Sequence, residues 1–287
     1  MQDGSGQDGF PVGRGRAGLT EEGVKTVEVN GITLAYREIG SGHPLLMING
    51  FASTMDTWNP PMLATLAAHF QVIIFDNRGT GYSSTSGEPF SITLFADDTR
   101  ALVEALRISQ AHVLGHSMGA SIAQELVLAK PELVERLILV AGTVGGDKAV
   151  RMRQETWERL ADKSGSPADL ANRMFCLLFP GDWLATHDPW QYCPEIHETT
   201  SVECAGRQAE AFTGWPGSYD RLPGIRCAVL VITGTEDVII PAKNAVLLAG
   251  RIPGARCVQI PGAGHGLQYQ CPEDLGREII SFLTETR

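Results

Sequence analysis

The sequence is short of positive charge, of long apolar runs and of paired cysteine motifs. Lysine and arginine number 23 against 33 aspartates and glutamates, a formal net charge of -10. Nucleic acid and anionic membrane surfaces both need a basic face, so neither is an expected partner. No apolar run approaches the roughly 18 residues that a membrane-spanning helix requires, so no span is expected. The six cysteines, Cys176, Cys193, Cys204, Cys227, Cys257 and Cys271, form no C-x-x-C pair and no zinc-like spacing with histidine. Neither a metal nor another cofactor is therefore expected. Reduced, mostly buried thiols are the expectation, with a Cys193–Cys204 bridge left open for an exported protein. Internal repeats are missing too, and low complexity is confined to the first residues. That stretch, 1–23, is rich in Gly, Asp and Gln and lacks the apolar segment of a signal peptide. It reads as a flexible leader, or the trimmed edge of something longer, and the expected location is cytoplasmic with export left open.

What is there suits a soluble globular chain. Its 287 residues lie near the upper size for one hydrophobic core, so one domain with a modest insertion is expected, and 43% hydrophobic content is ordinary. Residues 24–30 and 32–38 alternate around Asn30-Gly31, a hairpin turn signal. A continuous apolar run at 44–48, as a strand buried on both faces requires, is followed by further strand-like stretches at 71–75, 111–114, 137–140, 228–232 and 257–260. Helical spacing fills the gaps at 61–69, 92–106 with Ser91 as N-cap, 241–251 opening on Pro241, and 272–284. Repeated βα units imply a mostly parallel sheet with helices on both faces. Between about 144 and 222 the alternation stops, and four of the five tryptophans fall in that helix-like, aromatic-rich stretch. The expected division is a core over 24–144 and 222–287, interrupted by a helical cap over 145–221.

One stretch organises the rest. Residues 111–125, AHVLGHSMGASIAQE, run from an apolar strand into helical spacing through Gly115-His116-Ser117-Met118-Gly119. A chain turning that abruptly forces its middle residue into a strained backbone conformation and leaves no room for flanking side chains. Ser117 is the expected nucleophile, with the Met118 N–H beside it at a helix N-terminus. A serine hydroxyl needs a base, most often a histidine held by a carboxylate. In open α/β sheets such groups collect beyond the carboxyl ends of strands. The loop after the final strand holds His265, the expected general base. The loop before it, Gly234-Thr235-Glu236-Asp237, supplies Asp237 as the expected carboxylate, with Glu236 a weaker candidate and Asp147, in the loop after 137–140, the rival. The second oxyanion donor is expected from the loop after 44–48, at the Phe51 N–H. Asn49 is expected to brace that loop, His116 to pack beneath the turn, and Asp76 with Arg78 to form a charge pair.

These pieces together resemble the α/β-hydrolase superfamily in its cap-domain branch, over about 24–284. The matching features are the 115–119 turn, the order Ser117…Asp237…His265, the glycine-punctuated loop DNRGTGYSS over 76–84, and Gly234-Thr235-Glu236-Asp237 ahead of Pro241. The resemblance implies an eight-stranded, mostly parallel sheet with a helical lid. One departure is Asn49-Gly50, where the family commonly carries His-Gly. A nucleophilic serine in place of aspartate argues against epoxide hydrolases and haloalkane dehalogenases. The resemblance implies hydrolysis of a small carboxylic ester or lactone through an acyl-enzyme. Two alternatives stand beside it: C–C bond hydrolysis of a diketone-type substrate, and a small-molecule receptor retaining the triad. The C–C reading calls for an arginine near the site. Arg173 and Arg207 are the candidates, although solvated surface is the expectation for both.

Overall fold

In the computed structural model, residues 23–162 and 164–285 are described. The leader expected over 1–23 lies, except for Gly23, outside them. Eight strands follow the order β1-β2-β4-β3-β5-β6-β7-β8 across one sheet. They are β1 (Lys25–Val29), β2 (Ile32–Ile39), β3 (Pro44–Ile48), β4 (Gln71–Phe75), β5 (Ala111–His116), β6 (Val134–Val140), β7 (Ala228–Gly234) and β8 (Arg256–Ile260). Only β1 with β2 and β2 with β4 pair antiparallel, and every other neighbour pair is parallel. The Asn30-Gly31 turn joins the first two strands, both residues having positive φ (48° and 72°).

Alternation along the central strands divides the core into two layers. Leu46, Ile48, Val113, Leu137, Leu139, Val229 and Val231 face one way. They pack on α2 (Ile92–Ala105), α3 (Met118–Ala129) and α8 (Lys243–Arg251). Leu45, Met47, Leu114, Ile138, Val140, Leu230 and Ile232 face the other way, onto α1 (Pro60–Ala67) and α10 (Pro272–Thr284). Both faces being covered explains the unbroken apolar runs in sequence. Ser91 caps α2 by accepting from Leu94 N at 3.0 Å. Pro241 does not open α8. Its carbonyl accepts from Asn244 N at 2.8 Å in a turn that precedes the helix.

Between β6 and β7 the chain makes the helices α4 (Gln154–Ala161), α5 (Pro167–Leu178), α6 (Gly181–Leu184) and α7 (Val202–Thr213). The two ends of this stretch lie side by side. Ser218 N donates to Val144 O at 2.9 Å, and a Cβ on Gly145 would stand 2.4 Å from the Trp215 ring. Within the insertion Phe179 stacks on Trp183 with centroids 4.5 Å apart, and Trp183 on His187 at 4.6 Å. Tyr269, from the short helix α9 (Leu267–Gln270), joins this aromatic cluster. Trp157 and Trp190 stand exposed instead, so the aromatic richness of the stretch is only partly interior.

All six cysteines are free, which excludes the Cys193–Cys204 bridge. Nor are they mostly buried: Cys204 alone is fully so, while Cys176 and Cys257 are exposed. Cys193 sits by the aromatic cluster and Cys204 packs against the main core, so the two belong to different apolar groups. No helix among the described residues is long and apolar enough to cross a membrane.

Candidate active site

Strand β5 ends at His116 and α3 begins at Met118, leaving Ser117 to make the whole turn. Its backbone sits at φ 55°, ψ -119°, a conformation L-residues rarely hold, at a cost of about 1–3 kcal/mol. The flanking glycines answer to space rather than to φ. A Cβ on Gly115 would lie 2.3 Å from Gly119 O, and one on Gly119 would lie 2.1 Å from Ile48 O. Helix α3 is thereby seated directly on the end of β3. The result presents the Ser117 hydroxyl above the sheet, with Ser117 N donating to Val140 O at 2.9 Å beneath it.

Two loops at the same edge deliver the partners. His265 follows β8 and Asp237 follows β7, and these strands are neighbours. His265 Nδ1 lies 2.7 Å from Asp237 Oδ2, and His265 Nε2 lies 3.1 Å from Ser117 Oγ. The second carboxylate oxygen accepts from Ile239 N at 2.9 Å and Ile240 N at 2.8 Å, so both oxygens of Asp237 are engaged. The histidine loop is braced in turn: Gly264 N donates to Gln270 Oε1 at 2.9 Å, and Gly262 N to Thr235 Oγ1 at 2.9 Å. All three side chains are buried. Asp237 Oδ2 faces one imidazole nitrogen and Ser117 Oγ faces the other, an arrangement able to draw a proton off a hydroxyl and return it. Asp147 does not reach His265. It lines a separate cavity of about 730 Å³ with Phe90, Ile92, Trp215 and Tyr219. No hydrogen bond joins Glu236 to the histidine among the described residues; its N–H donates to Ala263 O at 2.9 Å.

The loop after β3 lies against Ser117. A Cβ on Gly50 would stand 3.1 Å from Ser117 Cβ and 3.3 Å from His116 O. Asn49 braces it by donating through Nδ2 to Thr54 O and, at 3.0 Å, to Thr57 Oγ1. Ser53 N donates to Gly50 O and Ala52 N to Gln208 Oε1 at 2.8 Å. Among the described residues the Phe51 N–H has no acceptor, and Met118, first in its helix, has none within α3. His116 lies beneath, its ring 5.3 Å from that of His265, with a buried and unpartnered Nε2. Burial, with the neighbouring His265, pushes its pKa down to about 3, so this ring stays neutral.

The expected Asp76–Arg78 pair is not formed. Asp76 accepts from Tyr82 N at 2.9 Å, closing its own loop, and from Met55 N at 2.7 Å, tying that loop to the one after β3. Arg78 reaches instead to Asp98 on α2, with two bonds of 2.7 and 2.8 Å. Only the fold brings those residues together, since twenty positions separate them. Burial, the largest influence on Asp76, raises its carboxyl to about 6. Arg207 is not solvated surface either. Its guanidinium lies 3.8 Å over the Phe90 ring and donates to Ser86 O at 2.9 Å, tying α7 to the core. Arg173 stays within the insertion, pairing with Asp162 at 3.3 Å. Two positioning residues escape a reading of the sequence. Gln208, fully buried on α7, holds the loop after β3. Asp56 accepts from His197 N and Glu198 N of the insertion at 3.0 and 3.2 Å. Nothing in the local pattern around either residue marks it.

Residues 45–278 match the alpha/beta hydrolase family. The chain belongs to that family. It is 32% identical over 272 residues to BpoC of Mycobacterium tuberculosis, provisionally named a non-heme bromoperoxidase, covering 89% of this chain and 99% of that one. A Caulobacter relative, RutD, provisionally named a carbamate hydrolase, is 29% identical over 259 residues, covering 87% of this chain and 95% of the other. Among solved structures, the enol-lactonase from Burkholderia xenovorans LB400 superposes with TM-score 0.77 at 26% identity, covering 91% of this chain and all of that one (100%). This alpha/beta hydrolase is thus similar along nearly its whole length to proteins named for different chemistries.

Proposed function

We propose that the chain is a serine hydrolase of small carboxylic esters or lactones. The observation that carries this reading is the buried series Asp237–His265–Ser117, joined at 2.7 and 3.1 Å. Ser117 Oγ attacks the carbonyl carbon while its proton passes to His265 Nε2. Asp237 orients the imidazole through Nδ1 and stabilises the imidazolium without taking the proton. The Phe51 and Met118 N–H groups hold the oxyanion of the tetrahedral intermediate. Collapse breaks the carbon–oxygen bond of the leaving alcohol, which takes the proton from Nε2 and leaves an acyl-Ser117. Water then attacks the acyl carbon, giving its proton to His265; the bond from the acyl carbon to Ser117 Oγ breaks, Oγ takes that proton from Nε2, and the acid is released. In a lactone, leaving alcohol and acid remain one molecule.

The insertion acts as the lid over this chemistry. Support comes from its seat: Gly266, next to His265, donates to Leu178 O at 2.9 Å, and Gly264 packs on Pro180. The buried Ser117 and the aromatic cluster around Phe179 and Trp183 favour a modest apolar acyl or alcohol group. The C–C hydrolase reading needs a free arginine at the site, and the partners of Arg173 and Arg207 lie elsewhere. Turnover of p-nitrophenyl acetate, butyrate and octanoate, alongside a set of small lactones, tests the proposal. Activity on the shorter esters or lactones is expected, and inertness toward the whole panel would shift the reading to the C–C or receptor alternatives.

A further inference from the structure

At the edge of the sheet opposite Ser117, three neighbouring parallel strands begin side by side. His43 immediately precedes β3, His112 is the second residue of β5, and Glu135 is the second residue of β6. The register there is irregular. Ala111 lies opposite Val134, but His112 lies opposite Arg136, so Glu135 is an extra residue on β6. A bulge of this kind re-aims a side chain that strict alternation would send elsewhere, and bulges are uncommon between parallel strands. Here it turns the Glu135 carboxylate toward both histidines. His43 Nε2 lies 2.9 Å from Glu135 Oε2, and His112 Nδ1 lies 3.8 Å from the same oxygen. The two imidazole rings are 4.3 Å apart.

We propose that His43, His112 and Glu135 form a divalent transition-metal site, and that zinc is the ion their donors favour. The His43–Glu135 pair alone would account for two of the three residues. It leaves His112 unexplained, since its Nδ1 is buried without a partner although it points toward the carboxylate. A metal ion is the partner that all three donors can share. Two imidazole nitrogens and one carboxylate oxygen suit zinc, with a fourth position left for water. The donor atoms already lie within 4.8 Å of one another. Tetrahedral bonds of about 2.0–2.1 Å hold ligands roughly 3.3 Å apart, so the cluster closes by about 1.5 Å at most. That movement falls on His43 and Glu135, whose side chains are 41% and 31% exposed. His112 is the fixed member, its ring edge-on to Phe70 at 5.9 Å. The open face beside His43 and Glu135 admits both the ion and its water.

A filled site would staple the starts of β3, β5 and β6, which are far apart in sequence. Because the ligands converge only in the folded chain, the ion binds that state and raises the melting temperature. At an ion concentration a hundredfold above Kd, the shift is about 5 °C. The test uses the full chain, stripped with a chelator, titrated with Zn²⁺ by calorimetry and with Co²⁺ by visible absorption. His43→Ala and Glu135→Gln alter an exposed and a half-buried side chain and leave Ser117, His265 and Asp237 intact, so ester turnover reports that both variants are folded. One equivalent of Zn²⁺ is expected in the wild type, with at least tenfold weaker binding in each variant and a Co²⁺ spectrum lacking thiolate charge transfer. Absence of saturable Zn²⁺ binding in the wild type overturns the proposal. So does binding of equal affinity in the double variant, or a cobalt–thiolate band, which would move the ion to a cysteine.

Discussion

Replacing Asp237 by asparagine changes one proton's position and little else. Asp237 Oδ1 accepts from the Ile239 and Ile240 N–H groups at 2.9 and 2.8 Å, while Oδ2 accepts from His265 Nδ1 at 2.7 Å. In the variant the amide oxygen is held where two N–H donors point, because an amide nitrogen there would face both. The NH₂ group must therefore face His265 Nδ1 and donate to it. Nδ1 becomes an acceptor, the ring proton moves to Nε2, and Nε2 presents a hydrogen to Ser117 Oγ where it should present a lone pair. The general base is lost while packing and volume are kept. Loss of the correct tautomer costs on the order of 10⁴ in kcat, or about 5.5 kcal/mol of transition-state stabilisation. Steady-state hydrolysis of p-nitrophenyl butyrate at neutral pH reads this directly, with KM changing far less than kcat. A loss below about tenfold would refute the argument that Asp237 sets the histidine tautomer.

Further predictions rest on other contacts. Gly119→Ala drives a Cβ to 2.1 Å from Ile48 O, and urea denaturation should show at least about 3 kcal/mol of lost stability if the protein folds at all. Arg78→Met leaves the buried Asp98 without a countercharge and with only the Asn30 amide donating to it, so the same assay should report about 3 kcal/mol. His116 is held neutral, its pKa lowered to about 3 from 6.5, so the stability it contributes is whole above pH 6.5 and is lost as pH falls toward 3. Between pH 7 and pH 5, His116→Gln should therefore lose less stability than the wild type, by about 1–2 kcal/mol. Arg207→Ala removes the Phe90 stacking and the bond to Ser86 O, and should speed proteolytic cutting within the insertion while leaving the core resistant.

Much of the sheet is legible because burial on two faces imposes a simple pattern. The runs at 44–48 and 71–75 coincide with β3 and β4, and the closing helix spans Pro272–Thr284 as its spacing predicts. Ser117, Asp237 and His265 stand out for a related reason: strand ends fix where loops begin, and the folded chain brings these three within hydrogen-bonding distance. Contacts that depend on how elements meet are not legible. Arg78 has an acid two residues away and reaches past it to Asp98, because α2 lies across the loop. Arg207 looks like a surface charge until Phe90 is brought beneath it. Gln208 and Asp56 hold the insertion to the core through backbone N–H groups, which leave no mark in composition or spacing. Pro241 carries a helix-start signal, yet a turn closed by Asn244 delays α8 to Lys243. The bulge that turns Glu135 toward two histidines is invisible for the same reason, since it is a property of two strands and not of one.

The central claim is that Ser117 is a nucleophile activated by His265. Treating the wild type with a fluorophosphonate and mapping the adduct by peptide mass spectrometry tests it most directly. One adduct is predicted, on the peptide carrying Ser117, with ester turnover falling in step with labelling and no adduct in Ser117→Ala. Turnover that survives complete labelling, or persists at the wild-type rate in Ser117→Ala, would contradict the account.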